Sequence, residues 1–527
     1  MQSHYLVIGA GSAGVVLTRR LLDAGNKVTL VEAGGQDTNA DIDDVSRLGM
    51  LWGGAEDWNY FTTPQPQLND RRVHVPRGKV MGGSHALNAT IWVRGDRWDF
   101  DTWAEQGCQG WSWDDVLPFY KAIENFHAED GGGGDPQVHG TQGPLDVTYD
   151  YPRHPIQQAM YDATLQAGVP ANPDYNSGSV EGAGWMQLNV RDGVRFNTWR
   201  AYLKPIADHE DLTLITEATA RRLLLEGLNV TGAEFSRDGE IFTVEADEVI
   251  LTAGAIGSPE LMLRSGLGPR EHLEELGLAV IKDIPAVGKN LHDHLLVPVV
   301  CTTQDPLPMP EVAAAQVHFF AKSIPDLPVA DTQPIFFSLP MYTNSAEPLM
   351  EGPETGFSLL AGLVRPKSRG TLTLAGPAPG DGVNIDLAAY AQEDDLQAML
   401  YSLKQCRDIA AQPALRQHGA VEVHPGREVQ SEEELIEYIR RTTTTYHHQV
   451  GTCAMGIGPT AVVDPQSLRV HGVQGLRIAD ASVMPQVTTG NTNAPSVLIG
   501  ERCATAITGL LPFEKEQAVQ MEKTPLS

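Results

Sequence analysis

Residues 442–456, TTTTYHHQVGTCAMG, set two histidines side by side ahead of a glycine. An imidazole titrates near neutrality and moves a proton in either direction, so His447 and His448 are candidates for acid–base work. A second kind of chemistry is written at the other end of the chain. There HYLVIGAGSAGVVLTRRLLDAGNKVTLVEAGG, residues 4–35, carries Gly9, Gly11 and Gly14 as G-x-G-x-x-G between a short apolar run and a helix with an apolar stripe. A second apolar run follows and ends at Glu32. The first glycines let the backbone turn and approach a pyrophosphate seated on the helix N-terminus. Gly14 lets helix and strand pack closely, and Glu32 accepts from ribose hydroxyls. With strand, turn, helix, strand and acid in order, the stretch predicts a dinucleotide site, without separating a nicotinamide from a flavin.

Several elements must position these groups. SEEELIEYIRR, residues 431–441, offers Ser431 as N-cap and Glu434 as its reciprocal partner, which predicts a helix stopping near Arg441. The threonines beyond it predict an extended exit, in which successive side chains point to opposite faces. Only one of the two histidines then faces a site directly. VTTGNTNAPSVLIGERCATAITGLL, residues 487–511, predicts the last helix, with Pro495 in its first turn, Asn493 as cap and Val497, Leu498 and Ile499 buried. QPIFFSLP (333–340) and SRGTLTLAG (368–376) read as strands, and residues 393–413 as an amphipathic helix with Leu396, Met399, Leu400 and Leu403 on one face. EDGGGGDPQVHG, residues 129–140, reads as a flexible surface loop.

The chain has 527 residues, enough for two or three domains. Its 38 basic and 67 acidic side chains give a net charge of −29, which argues against nucleic acid or an anionic membrane as partner. The five cysteines, Cys108, Cys301, Cys406, Cys453 and Cys503, show neither metal-ligand spacing nor a disulfide framework, so a reducing compartment is expected. The first strand begins at once and no apolar run approaches membrane-spanning length, which reads as a cytoplasmic protein without a transmembrane segment.

PRGKVMGGSHALNATIWVRG (76–95), GAIGSPELMLRSGLGP (254–269), VGKNLHDH (287–294) and GLRIADASVMP (475–485) follow the fingerprint in order. Together these motifs resemble the glucose–methanol–choline (GMC) oxidoreductases over residues 4–512. The resemblance implies an α/β protein: a Rossmann-like FAD-binding domain plus an α+β substrate domain whose sheet roofs the flavin. Residues 1–148, 212–294 and 441–512 would form the FAD-binding part and residues 149–211 and 295–440 the substrate part. The polar tail, 513–527, is given no function.

Flavin oxidation of an alcohol needs a base beside the hydroxyl and a donor for the developing oxyanion. The family pattern H-x-V-G-T assigns the base to His448, with Gln449 where proline is common, and the partner position to Asn491. His447 falls on the pocket wall. Gly82, Gly83, Asn88, Asp480 and Asn493 join the fingerprint residues as FAD contacts. Some choline-oxidising relatives tether FAD through a histidine where this chain has Leu87. FAD is therefore expected to be bound without a covalent link, with His85 two residues away facing elsewhere. Glu311 stands at a spacing like that of the choline-binding acid, but Leu48 and His447 would make a poor aromatic cage. The resemblance thus implies oxidation of a primary alcohol, aryl-methyl or aliphatic, with electrons passed to oxygen or another acceptor. Choline or a pyridoxine-type alcohol are the narrower substrates, and a lyase with a structural flavin is the alternative.

Overall fold

The computed structural model describes residues 2–47, 49–129, 131–341 and 350–512. Five parallel strands build the first sheet, in the spatial order Leu212–Ile215, Lys27–Val31, His4–Ile8, Glu248–Leu251 and Leu476–Ile478. Their residues are short apolar runs because both faces are covered, as a parallel sheet requires. The helices Ser12–Asp23 and Asn493–Thr508 pack on each other so closely that a Cβ on Gly500 would stand 2.6 Å from the Ala13 carbonyl oxygen. The buried Glu501 carboxylate ties them together, accepting from the Arg20 guanidinium at 2.9 Å and from the Tyr202 hydroxyl at 3.1 Å. The two ends of the chain thereby meet at one sheet.

A second sheet is antiparallel and runs Val421–His424, Leu295–Thr302, Phe357–Leu363, Ile335–Phe337, Ala315–Phe320, Gly182–Trp185, with Thr444–Thr445 also pairing to Leu295–Thr302. Strand alternation sorts its side chains into two buried sets. Val297, Val299, Leu359 and Ala361 pack with Leu396, Met399, Leu400 and Leu403 of the helix Glu393–Ala410. Leu296, Ile335, Phe337 and Leu360 belong to the opposite cluster, which faces the first sheet's cavity. The predicted strand over 368–376 is Thr371–Leu374, paired with Val383–Asp386 in a separate hairpin.

Ser431 and Glu434 form the expected capping box, and the helix they open, Glu432–Thr442, ends one residue past Arg441. The loop over residues 129–140 carries no regular structure among its described residues, yet it is fastened at one end. His139 is buried between Glu124 at 3.0 Å and Asp174 at 3.1 Å and stacks on Phe126.

Candidate active site

One cavity of about 590 Å3 runs between the sheets, lined by Glu32 and Gly11, by Ser84, Asn88 and Asp480, and by His447, His448 and Asn491. Its floor is made of backbone. Gly83 has φ +56° and lies so near Gly11 that a Cβ on it would stand 2.7 Å from the Gly11 Cα. Gly14 is held against Gly9, whose carbonyl oxygen a Cβ would meet at 2.1 Å. Such contacts admit no side chain and leave a groove in which backbone amides reach a phosphate. Glu32, at the end of the second strand, accepts from the backbone N–H of Ala10 and of Gly34, both at 2.9 Å. Burial raises its pKa, opposed by those backbone amides. Its remaining lone pairs face the cavity edge, where ribose hydroxyls would donate.

Asp480 accepts from the Gly254 amide at 2.9 Å and from the Ser258 hydroxyl at 2.5 Å. It thereby joins the last strand to the turn after Leu251. Gly82 backs on Asn197 and starts the turn into Gly83–Ala86. Asn88 lines the cavity and accepts from the Arg195 guanidinium at 3.0 Å.

The histidine pair does not keep the extended geometry expected of it. His447 has φ +67°, because its N–H donates to the Thr445 hydroxyl at 2.6 Å and its carbonyl accepts from Arg77. This tight turn still sends the two rings apart. The His447 ring packs edge-on against Trp52 with centroids 5.0 Å apart, and the His448 ring stacks on Tyr446 at 4.7 Å. The His448 N–H donates to the buried Asp293 at 2.7 Å, and Gln449 donates to the same carboxylate. Burial pushes the Asp293 pKa up to about 6 against those donors. Burial is also the chief reason the His448 pKa sits well below its ordinary value, helped by His294, His447 and Arg77. His448 Nε2 lies 3.2 Å from Asn491 Nδ2, and its Nδ1 lies 3.0 Å from His294 Nδ1. A neutral imidazole whose Nε2 lone pair accepts from an amide N–H therefore lines the cavity.

Other expectations come apart. Asn493 does not cap the last helix: Thr492 holds the N-cap position, and the Asn493 side chain crosses instead to Ser12, whose hydroxyl donates at 2.6 Å, and to His85. Asn493 still lines the cavity, whereas His85 is fully buried behind it and is not on its wall. Leu87 does line the cavity. Glu311 is exposed on its loop and is not among the lining residues, so it is not brought to the histidines. Leu48 lies outside the described residues. Asp293, His294, Arg77 and Gln333 emerge as site neighbours that the sequence reading did not name. For the first two, the charged end of VGKNLHDH was the available signal.

The parallel sheet and its backbone-floored cavity are those of a dinucleotide-dependent redox enzyme. Family models described as GMC oxidoreductase match residues 3–296 and 366–500. The chain belongs to this family, whose members use FAD and act on CH–OH groups. It is 36% identical to an oxygen-dependent choline dehydrogenase of Sinorhizobium fredii, over 98% of this chain and 97% of that one. It is 33% identical to an alcohol dehydrogenase [acceptor] of Pseudomonas putida, over 95% of each chain. Among solved structures, pyridoxine 4-oxidase from Mesorbium loti superposes with a TM-score of 0.90 at 31% identity, over 97% of this chain and 100% of that one. No helix among the described residues is long and apolar enough to cross a membrane.

Proposed function

We propose that this enzyme oxidises an uncharged, apolar primary alcohol, aryl-methyl or aliphatic, to its aldehyde, with His448 as base and Asn491 as the hydrogen-bond partner of the substrate oxygen. The observation that carries the reading is the His448 Nε2–Asn491 Nδ2 pair, 3.2 Å apart in a cavity that Leu296, Ile335, Phe337 and Leu360 also line, in one apolar cluster with the Tyr446 ring that stacks on His448. When bound, FAD supplies the hydride acceptor. The chain's own groups do the rest. An alcohol oxygen placed against the pair gives its proton to His448 Nε2 and keeps a hydrogen bond from Asn491 Nδ2, and an alkoxide is the better hydride donor. The apolar roof excludes water and presses the substrate's carbon end toward the floor.

FAD fits the residues present. The floor of Gly9, Gly11, Gly14, Gly82 and Gly83 would hold its pyrophosphate, Glu32 its ribose, and Asn88, Asp480 and Asn493 the stretch toward the histidines. A non-covalent link is supported by Leu87 on the cavity wall and His85 behind it. The strand memberships support a cofactor part from residues 1–148, 212–294 and 441–512 and a substrate part from 149–211 and 295–440. Thr444–Thr445 cross that division by pairing with the second sheet.

The roof argues against choline as the preferred substrate. Of the cavity's acids, Glu32 and Asp480 are engaged by backbone amides and Glu260 pairs with Arg264 at 2.8 Å. Oxygen or another acceptor takes the electrons, as the names of the two relatives suggest for those proteins. All five cysteines are buried free thiols, which supports a reducing compartment such as the cytoplasm. The test is the anaerobic visible spectrum of the purified protein against a panel of primary alcohols. Bleaching of the oxidised-flavin band by an apolar alcohol is the expected result. A flavin band that no alcohol in the panel bleaches would count against oxidation of these alcohols and favour the lyase reading.

A further inference from the structure

Five buried polar side chains form one continuous hydrogen-bonded row through the active site. Gln333 Nε2 lies 3.1 Å from His318 Nδ1 and 3.2 Å from Asn491 Oδ1. Asn491 Nδ2 lies 3.2 Å from His448 Nε2, and His448 Nδ1 lies 3.0 Å from His294 Nδ1. Each link has one donor and one acceptor, so fixing one link fixes the direction of the next. As arranged, the Gln333 amide donates to Asn491, Asn491 donates to His448 Nε2, and the His448 proton must sit on Nδ1, donated to His294. Run backwards, the same row would put a proton on His448 Nε2, where the alcohol has to deliver one.

We infer that His294 is a positioning residue: its Nδ1 accepts from His448 Nδ1–H, holding the base in the tautomer whose Nε2 is open to substrate. This rests on His448 being the base. Asn491 Nδ2 can only donate, so His448 Nε2 accepts, the His448 proton sits on Nδ1, and His294 Nδ1 is left to accept it. The His294 proton then stands on its buried Nε2. The nearby Val364 backbone raises the ring's proton affinity. Burial, with Arg365 nearby, lowers the His294 pKa to about 3, so the ring stays neutral and keeps its lone pair. The groups facing the His448 ring are His294, His447, Arg77, Tyr446 and Asn491, and the Asp293 carboxylate is spent on the His448 backbone N–H. No carboxylate is hydrogen-bonded to the His448 ring among the described residues, so the orienting work that an acid does in a serine-protease triad falls to a neutral imidazole here.

When His448 takes the substrate proton on Nε2, both ring nitrogens carry hydrogen and the Nδ1–H bond to His294 strengthens. The proton comes from the hydroxyl, no further atom moves along the row, and His294 is unchanged. Asparagine can imitate this role, since its Oδ1 stands close to where histidine holds Nδ1. Leucine cannot.

The experiment uses oxidised holoenzyme labelled with 15N-histidine, with the His448 ring signals assigned by their loss in His448→Gln. Wild type should show the His448 proton on Nδ1. In His294→Leu that proton should redistribute toward Nε2, and the flavin-reduction rate should fall about 10- to 100-fold with little change in alcohol KM, the loss typical of removing the group that orients a reactive histidine. His294→Asn should restore both the Nδ1–H signal and the rate. A wild-type proton on Nε2, or a His294→Leu enzyme with wild-type tautomer and rate, overturns the inference. If His294→Leu fails to hold flavin, the wild-type and His294→Asn spectra decide the matter alone. Should His448→Gln reduce flavin at the wild-type rate, the base assignment itself falls. A slow His448→Gln with Nε2–H in wild type removes only the role of His294.

Discussion

Exchanging the trimethylammonium of choline for a tert-butyl group, as in 3,3-dimethylbutan-1-ol, keeps the shape and removes the charge. The roof over His448 is built from Leu296, Ile335, Phe337, Leu360, Met341 and Tyr446, and Arg77 lines the same cavity. No carboxylate is among these residues, and a buried charge without a counter-charge costs several kcal/mol. Taking about 3 kcal/mol as a lower figure, the neutral isostere should exceed choline by at least roughly 100-fold in the second-order rate of flavin reduction. The same roof makes a second comparison quantitative. Each methylene it buries contributes about 0.8 kcal/mol, close to fourfold, so ethanol to hexanol should gain roughly 200-fold before the roof is full. Anaerobic stopped-flow reduction, read at the flavin band across both series, gives these ratios directly. A flat alkanol series, or choline outpacing its isostere, would refute the reasoning from the roof.

Three further outcomes follow from the geometry. Gly83→Ala places a Cβ 2.7 Å from the Gly11 Cα at φ +56°, so flavin content on purification should drop and FAD titration weaken; Gly193→Ala, at φ +75° with nothing within 4 Å of the new Cβ, carries the backbone strain alone and should keep its flavin. His448 is held well below its ordinary pKa, so reduction should vary little above pH 6.5. It should fall near pH 6 as Asp293 protonates and loses the charge that strengthens the bond it accepts from the His448 N–H; Asp293→Asn, neutral and unable to titrate, should be slow and flat across that range in stopped-flow pH profiles. Acid precipitation should release all flavin to the supernatant from wild type and from His85→Ala alike, and colour staying with the pellet would show a covalent bond.

The first sheet was legible because its signals are local. A five-residue apolar strand, a glycine turn and a terminal acid are adjacent in the chain; Gly9 and Gly14 make backbone approaches that leave no room for a Cβ, and Glu32 ends its strand accepting from the Ala10 N–H. The capping box at Ser431 was legible for the same reason. What failed depended on distant partners. Asn493 has the residue type of a cap, but Ser12, on the first helix, takes its side chain. His447 leaves the extended path because Thr445 and Arg77 bind its backbone, and nothing in TTTTYHH announces Arg77. Glu311 matched by spacing alone and ends in solvent. His294 and Gln333 sit just ahead of two different strands of the second sheet, Leu295–Thr302 and Ile335–Phe337, so their meeting with His448 and Asn491 required the fold.

The most direct test of the account is the anaerobic reduction rate of His448→Gln by the best alcohol, with bound flavin measured in the same sample. Removing a general base costs about 10²- to 10⁴-fold, and that loss with full flavin content is the predicted result. Reduction at the wild-type rate with flavin bound would contradict it and take proton transfer away from His448.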